Sequence, residues 1–207
     1  MKKFYFISII IILFLFSPLL WGSGGEAFSQ NIKGGVILGF NTTQVRGDNL
    51  AGYHKFGLNV GAIAIVPIKK KISVSMEILY SERGSRSSGP ESDAKQYVYL
   101  LKLNYVEVPF LFNYQDKEKI NFGVGMSIST LVKFKEYRDG EESPDTIKPY
   151  TKREYSFVAN GNYLITKKWV LNLRYSHSIF HIGVRIVDGE LHKQYHDVVT
   201  IRVIYLF

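Results

Sequence analysis

Residues 168–178 read Lys-Trp-Val-Leu-Asn-Leu-Arg-Tyr-Ser-His-Ser, and their alternation decides the fold. In an extended chain Trp169, Leu171, Leu173 and Tyr175 share one face, while Asn172, Arg174, Ser176 and Ser178 share the other. A helix would mix the two sets. The same period of two recurs in Lys119–Ser129, where Ile120, Phe122, Val124, Met126 and Ile128 oppose Asn121, Gly123, Gly125, Ser127 and Ser129. Lys71–Ser81 sets Ile72, Val74, Met76, Ile78 and Tyr80 against Ser73, Ser75 and Glu77. Near the C-terminus, Val199, Ile201, Val203, Tyr205 and Phe207 oppose Thr200 and Arg202. Ile32–Asn41, Lys55–Val66, Val98–Tyr114 and Arg153–Ile165 bring the expected strands to eight. Pro109 cannot donate to a ladder, so a bulge or break in pairing is expected there.

Alternation alone fits either a lipid-facing barrel or a sheet with its apolar face turned inwards. Three features favour the first. Connections alternate in length: tight joins fall near Ile68–Lys70, Gln115–Lys117 and Thr166–Lys167, and long ones near Thr42–Tyr53, Gly84–Gln96, Lys135–Lys152 and His181–Tyr195. Short periplasmic turns and long external loops are the pattern of outer-membrane barrels. Aromatic residues stand near strand ends, at Tyr80, Tyr114, Trp169, Tyr175, Tyr205 and Phe207, where interfacial girdles belong. The terminal Phe207 resembles the aromatic signal read by the barrel-assembly machinery. The expected fold is all-β, an eight-stranded antiparallel up-and-down transmembrane β-barrel. A water-soluble, lipocalin-like barrel with Leu171, Val124 and Ile201 turned inwards is the alternative.

At 207 residues one barrel uses the chain. Residues 1–29 read as a cleaved signal peptide: Lys2 and Lys3, an apolar run from Phe4 to Leu20, and Ala27-Phe28-Ser29 before Gln30. The barrel domain is then 30–207, although an uncleaved anchor is the alternative for a run of this length. Export to the outer membrane of a Gram-negative bacterium follows. Cysteine is absent, which excludes disulfides, thiolate nucleophiles, Cys-ligated metal and a lipoprotein anchor. The formal charge of +8 suits anionic outer-membrane lipids and lipopolysaccharide. The run Lys69-Lys70-Lys71 reads as a charged periplasmic turn rather than a nucleic-acid patch, so no nucleic-acid partner is expected.

Three pieces carry a family resemblance: Lys33-Gly34-Gly35, Met76-Glu77-Ile78-Leu79-Tyr80-Ser81-Glu82-Arg83-Gly84, and Leu103-Asn104-Tyr105-Val106-Glu107-Val108-Pro109. In order and spacing they resemble the PorT-like outer-membrane β-barrel domain of Gram-negative Bacteroidota, often labelled "porin family". The Tyr-x-Glu-x-Pro of Tyr105, Glu107 and Pro109 is the most specific of them. The resemblance implies fold and compartment; a role in secretion does not follow from a shared barrel.

Among chemistry-bearing residues, Glu77, Glu107, Glu154, Arg174 and Arg202 fall on the polar face. Enclosed by eight strands they must pair, because an interior of this width is filled by side chains and unpaired buried charge is costly. They read as a lumen polar network that plugs the barrel, with an ion path as the functional alternative. His177, His181, His192 and His196 form two pairs at four-residue spacing, a candidate metal site. Asp188-Gly189 favours a two-residue turn that sets His181 opposite His196, a register that requires a bulge. The acidic residues of 135–152 lack calcium-loop spacing. No Gly-x-Ser-x-Gly, phosphate loop or His-Glu-x-x-His occurs, and no cofactor is expected. His177, Ser178 and Asp197 are the residues that a rim active site would use. The reading is a non-enzymatic barrel whose external loops serve structure, adhesion or scaffolding through protein partners of unknown identity. A narrow solute or ion channel and a rim-active outer-membrane enzyme are the alternatives.

Overall fold

The computed structural model describes residues 32–46, 55–86, 99–138, 141–142, 150–187 and 190–207. The expected signal segment and most of the long connections lie outside them. The described strands are β1 (Lys33–Arg46), β2 (Lys55–Lys69), β3 (Ile72–Arg86), β4 (Tyr99–Lys117), β5 (Ile120–Arg138), β6 (Glu141–Glu142), β7 (Arg153–Leu164), β8 (Trp169–Ser178), β9 (Gly183–Val187) and β10 (Glu190–Leu206). Antiparallel pairing runs β1-β2-β3-β4-β5-β7-β8-β10. The last strand returns to the first, from Gly35 opposite Leu206 to Arg46 opposite Tyr195, so eight strands close. Closure gives each of the eight described barrel strands a hydrogen-bonded neighbour on both sides, the condition for crossing hydrocarbon with strands. The short β6 and β9 pair with β5 and with the first part of β10.

The orientation is the expected one. Ile201 is 58% exposed while its neighbour Arg202 is 1% exposed, and Leu173 and Arg174 differ in the same way. Leu38, Phe40, Ile78, Phe110, Phe112, Val124 and Met126 also stand outside. A soluble barrel would invert each of these pairs.

The inner-leaflet girdle includes Tyr114, Trp169 and Tyr205. The rings of Trp169 and Tyr205 lie 4.9 Å apart. Lys168 and Lys71 place ammonium groups 5.9 and 6.0 Å from the Tyr205 and Tyr114 rings. Aromatic faces carrying lysine heads suit the boundary between hydrocarbon and headgroups. Phe207 is exposed, and its N–H donates to the Gly34 carbonyl at 3.0 Å.

Strand boundaries depart from the expectation mainly at the outer end. Thr42–Arg46, Gly84–Arg86, Lys135–Arg138 and the stretches of β9 and β10 before Tyr195 are strand, where loops were expected. Above the membrane both faces of the wall can carry polar residues, so the binary pattern fades while the ladder continues. The turn expected at Gln115–Lys117 falls at Glu118–Lys119. There Gln115 Nε2 donates to the carbonyls of Lys117 (2.6 Å) and Glu118 (3.0 Å) and holds the end of β4 in place. Pairing between β3 and β4 lapses between Met76–Phe110 and Leu79–Glu107, opposite Pro109, without a change of register. Gly84 sits at φ 141°, and a Cβ there would stand 2.0 Å from the Leu101 carbonyl oxygen.

Candidate functional site

Alternation on β3, β4, β7, β8 and β10 turns Glu77, Arg83, Glu107, Glu154, Arg174 and Arg202 into the lumen, each at most 3% exposed. They form two triads of opposite composition. In one, Glu77 accepts from Arg174 Nη2 at 2.7 Å and from Arg202 Nη1 at 2.8 Å. In the other, Arg83 donates to Glu154 Oε1 at 2.7 Å and to Glu107, with its guanidinium 5.2 Å from the Tyr105 ring centre. The first triad carries an excess positive charge and the second an excess negative one, so together the six are neutral. Neutrality is what a low-dielectric enclosure requires, since each uncompensated ion costs several kcal/mol.

Further hydrogen bonds surround the triads. Ser156 Oγ donates to Glu154 Oε1 at 2.9 Å, and His196 Nδ1 lies 2.9 Å from Glu154 Oε2. Arg202 Nε donates to Asn172 Oδ1 at 2.8 Å, Asn172 to Asn162 at 2.6 Å, and Asn162 to Asn121 at 3.0 Å. Thr200 donates to Asn41, and Asn41 to Ser81, both at 2.9 Å.

Apolar side chains flank this belt. Leu101, Leu103 and Tyr105 pack with Leu131, Phe134 and Tyr150 on the outer side. Ile37, Ile63, Leu79, Val170, Ile204 and Leu206 cluster on the periplasmic side. The filling is uneven: a cavity of about 210 Å³, bounded by Glu77, Ser75, Asn113, Asn121, Asn160 and Asn162, opens towards the periplasmic turns.

The five lumen residues expected from sequence converge, and two more join them. Arg83 lies two positions beyond the expected end of its strand at Ser81, so no face was assigned to it; continuing the alternation Glu77, Leu79, Ser81 would have found it. His196 was read as a loop residue and belongs to the lumen.

The four candidate metal histidines part company. His196 faces inwards on Glu154, whereas His177 lies on the outer side, with Nδ1 2.7 Å from Asp197 Oδ1. His181 is exposed and His192 half-buried. Among the described residues no group of three or more His, Asp or Glu is arranged to hold a metal. The β9–β10 register, with Glu190 opposite Val187 and Gln194 opposite Gly183, is the one expected from Asp188-Gly189, which themselves lie outside the described residues. The ladder then changes register by Asp197 opposite His177, and so does not continue to His181 and His196.

The rim triad is likewise not assembled. Tyr175 Oη and Arg46 Nη2 bond Asp197 at 2.8 and 2.7 Å beside His177. Ser178 points to the other side of the wall, where its Oγ accepts the His196 N–H at 2.8 Å. Successive strand residues face opposite ways, so a serine adjacent to His177 cannot share its side.

Residues 28–183 match a family model described as "Outer membrane protein beta-barrel domain". No curated protein sequence matches the chain. Among solved structures, the attachment invasion locus protein Ail of Yersinia pestis is similar with a TM-score of 0.51 and 12% identity, over 84% of this chain and 98% of that one. Neisserial surface protein A gives a TM-score of 0.51 and 11% identity, over 84% and 97%. At such identity the likeness is one of fold.

Proposed function

Since the chain belongs to the outer-membrane protein β-barrel domain family, and so resides in the outer membrane of a Gram-negative bacterium, we propose that it is a non-enzymatic surface barrel. Its lumen is a plug, and its external connections make the functional contacts. The observation that carries this reading is the neutral belt of six buried charges across the lumen. Opening a path there means separating paired ions in a poorly solvated interior, which disfavours permeation. The described strands continue above the apolar belt, to Arg46, Arg86 and Arg138, and surface connections are where partners commonly bind. A barrel of similar fold is, by its name, an attachment protein. Within the family, the Tyr105-x-Glu107-x-Pro109 and Met76–Gly84 segments support a place in the PorT-like group. The mature chain begins at Gln30, which N-terminal sequencing of the exported protein checks.

Planar-bilayer recording tests the plug. Refolded protein is expected to give no stable unitary steps. Steps that change in Glu107→Gln or Arg174→Gln would put the narrow-channel reading in its place, a reading to which the cavity at the periplasmic end of the lumen lends support. The contact role is tested by replacing 87–98 and 143–149 with short Gly-Ser links. Surface attachment of expressing cells is expected to fall, while the heat-modifiable gel band persists.

A further inference from the structure

The outer side of β3, β4 and β5 carries a second charged group with the opposite organisation. On β4 five outward side chains climb from Tyr114 through Phe112, Phe110 and Val108 to Val106, a segment nine residues long. That is about the 9–11 residues that a tilted strand needs to cross hydrocarbon. Above Val106 come Asn104 and Lys102. On β5 a bulge intervenes: Tyr105 pairs with Leu131 but Asn104 pairs with Lys133, leaving Val132 as the extra residue. Below the bulge the even positions Met126 and Ile128 face out; above it Lys133, Lys135 and Tyr137 do, while Phe134 turns in to the Leu101–Leu103–Tyr105 cluster. One inserted residue thus presents two lysines to the headgroup layer rather than the lumen.

Lys102 and Lys135 stand directly opposite each other across the β4–β5 ladder. Like charges so placed destabilise a sheet. Tyr137 lies beside both ammonium groups, 5.3 Å from Lys102 and 5.8 Å from Lys135. Lys133 and Arg86 line the same groove, whose volume is about 650 Å³. The acidic side chain among the described lining residues is Glu82, and its Oε2 accepts the Leu58 N–H at 3.2 Å, tying it to the wall. Lys55 donates to the Phe56 carbonyl at 2.8 Å.

We propose that Arg86, Lys102, Lys133 and Lys135 form a binding site for the phosphate groups of an outer-leaflet glycolipid. A phosphate between Lys102 and Lys135 turns their repulsion into two charge-assisted hydrogen bonds. The height of the groove, just above the end of the apolar belt, is where such phosphates stand when the acyl chains lie against Val106, Val108 and Phe110.

The test uses the barrel reconstituted in phosphatidylcholine vesicles containing increasing amounts of bis-phosphorylated lipid A, and follows the midpoint of the heat-modifiable gel shift. Lipid A is expected to raise that midpoint. A Lys102→Gln, Lys133→Gln, Lys135→Gln triple variant is expected to need roughly a hundredfold more lipid A for the same rise, at about 1 kcal/mol per lysine near an anionic surface. Lys102→Gln alone, should the triple fail to insert, is expected to need about fivefold more on the same scale. A variant with Lys69, Lys70 and Lys71 replaced by Gln is expected to respond like the parent. Equal responses of the parent and the Lys102 variants would overturn the site. So would an equal rise with dephosphorylated lipid A, and a full rise with inorganic phosphate alone would replace the lipid by a free anion.

Discussion

Strands β3–β5 carry charge on both sides of one wall, and the two sides obey different rules. Inside, Arg83 is held between Glu107 and Glu154, and no charged partner is more than 3% exposed. Outside, Lys102 faces Lys135 across the ladder, with Lys133 and Arg86 nearby. Enclosure raises the cost of an unpaired ion to several kcal/mol, so the six lumen charges sum to zero although each triad alone does not. At the headgroup level water and salt screen the same repulsion to a fraction of that, and the described lining residues keep more basic than acidic side chains. The wall separates an arrangement that must be complete in itself from one that draws on its surroundings.

Deleting Val132 tests the contrast most severely. Removal of the bulge residue turns Lys133 and Lys135 towards the lumen and Phe134 and Glu136 towards the headgroups. The expected loss exceeds about 5 kcal/mol, two desolvated ammonium groups being the main cause; urea unfolding in vesicles would show it, and a loss near zero would mean that the strand tolerates either face. Glu77→Gln comes next. It leaves Arg174 and Arg202 without their shared carboxylate, at a cost of about 3–5 kcal/mol in the same assay.

Gly84→Ala acts on the backbone between the two charge groups. At φ 141° a side chain is strained, and its Cβ meets the Leu101 carbonyl oxygen. A loss of about 1–3 kcal/mol is expected, visible as a lower urea midpoint with an unchanged slope. The smallest effect has the opposite sign. In phosphatidylcholine vesicles free of anionic lipid, Lys102→Gln is expected to stabilise the barrel by about 0.2–1 kcal/mol, because it removes a like-charge pair. Destabilisation there would show that Tyr137 already offsets the repulsion.

Residue by residue, what was legible follows from where the two sides of a strand differ. Trp169–Ser178 was readable because one side meets lipid and the other a polar lumen, so every second residue changes character. Thr42–Arg46 and Lys133–Arg138 were not, because above the membrane polar residues stand on both sides and the alternation fades. Arg83 was hidden by the same fading, and His196 by a loop assignment. The Ser178–His177–Asp197 arrangement fails because a strand points the adjacent His177 and Ser178 apart, and the histidine cluster fails because His177 faces outwards onto Asp197 whereas His196 faces the lumen onto Glu154.

The sequence by itself determined the strand pattern and five of the six lumen ions, because both rest on local alternation with period two; the side that meets lipid was read from the alternating connection lengths and the aromatic residues near strand ends. Tertiary structure alone decided which ions pair and where β5 changes face. Those depend on register, and register is a relation between strands far apart in the chain, brought opposite one another by closure of the barrel.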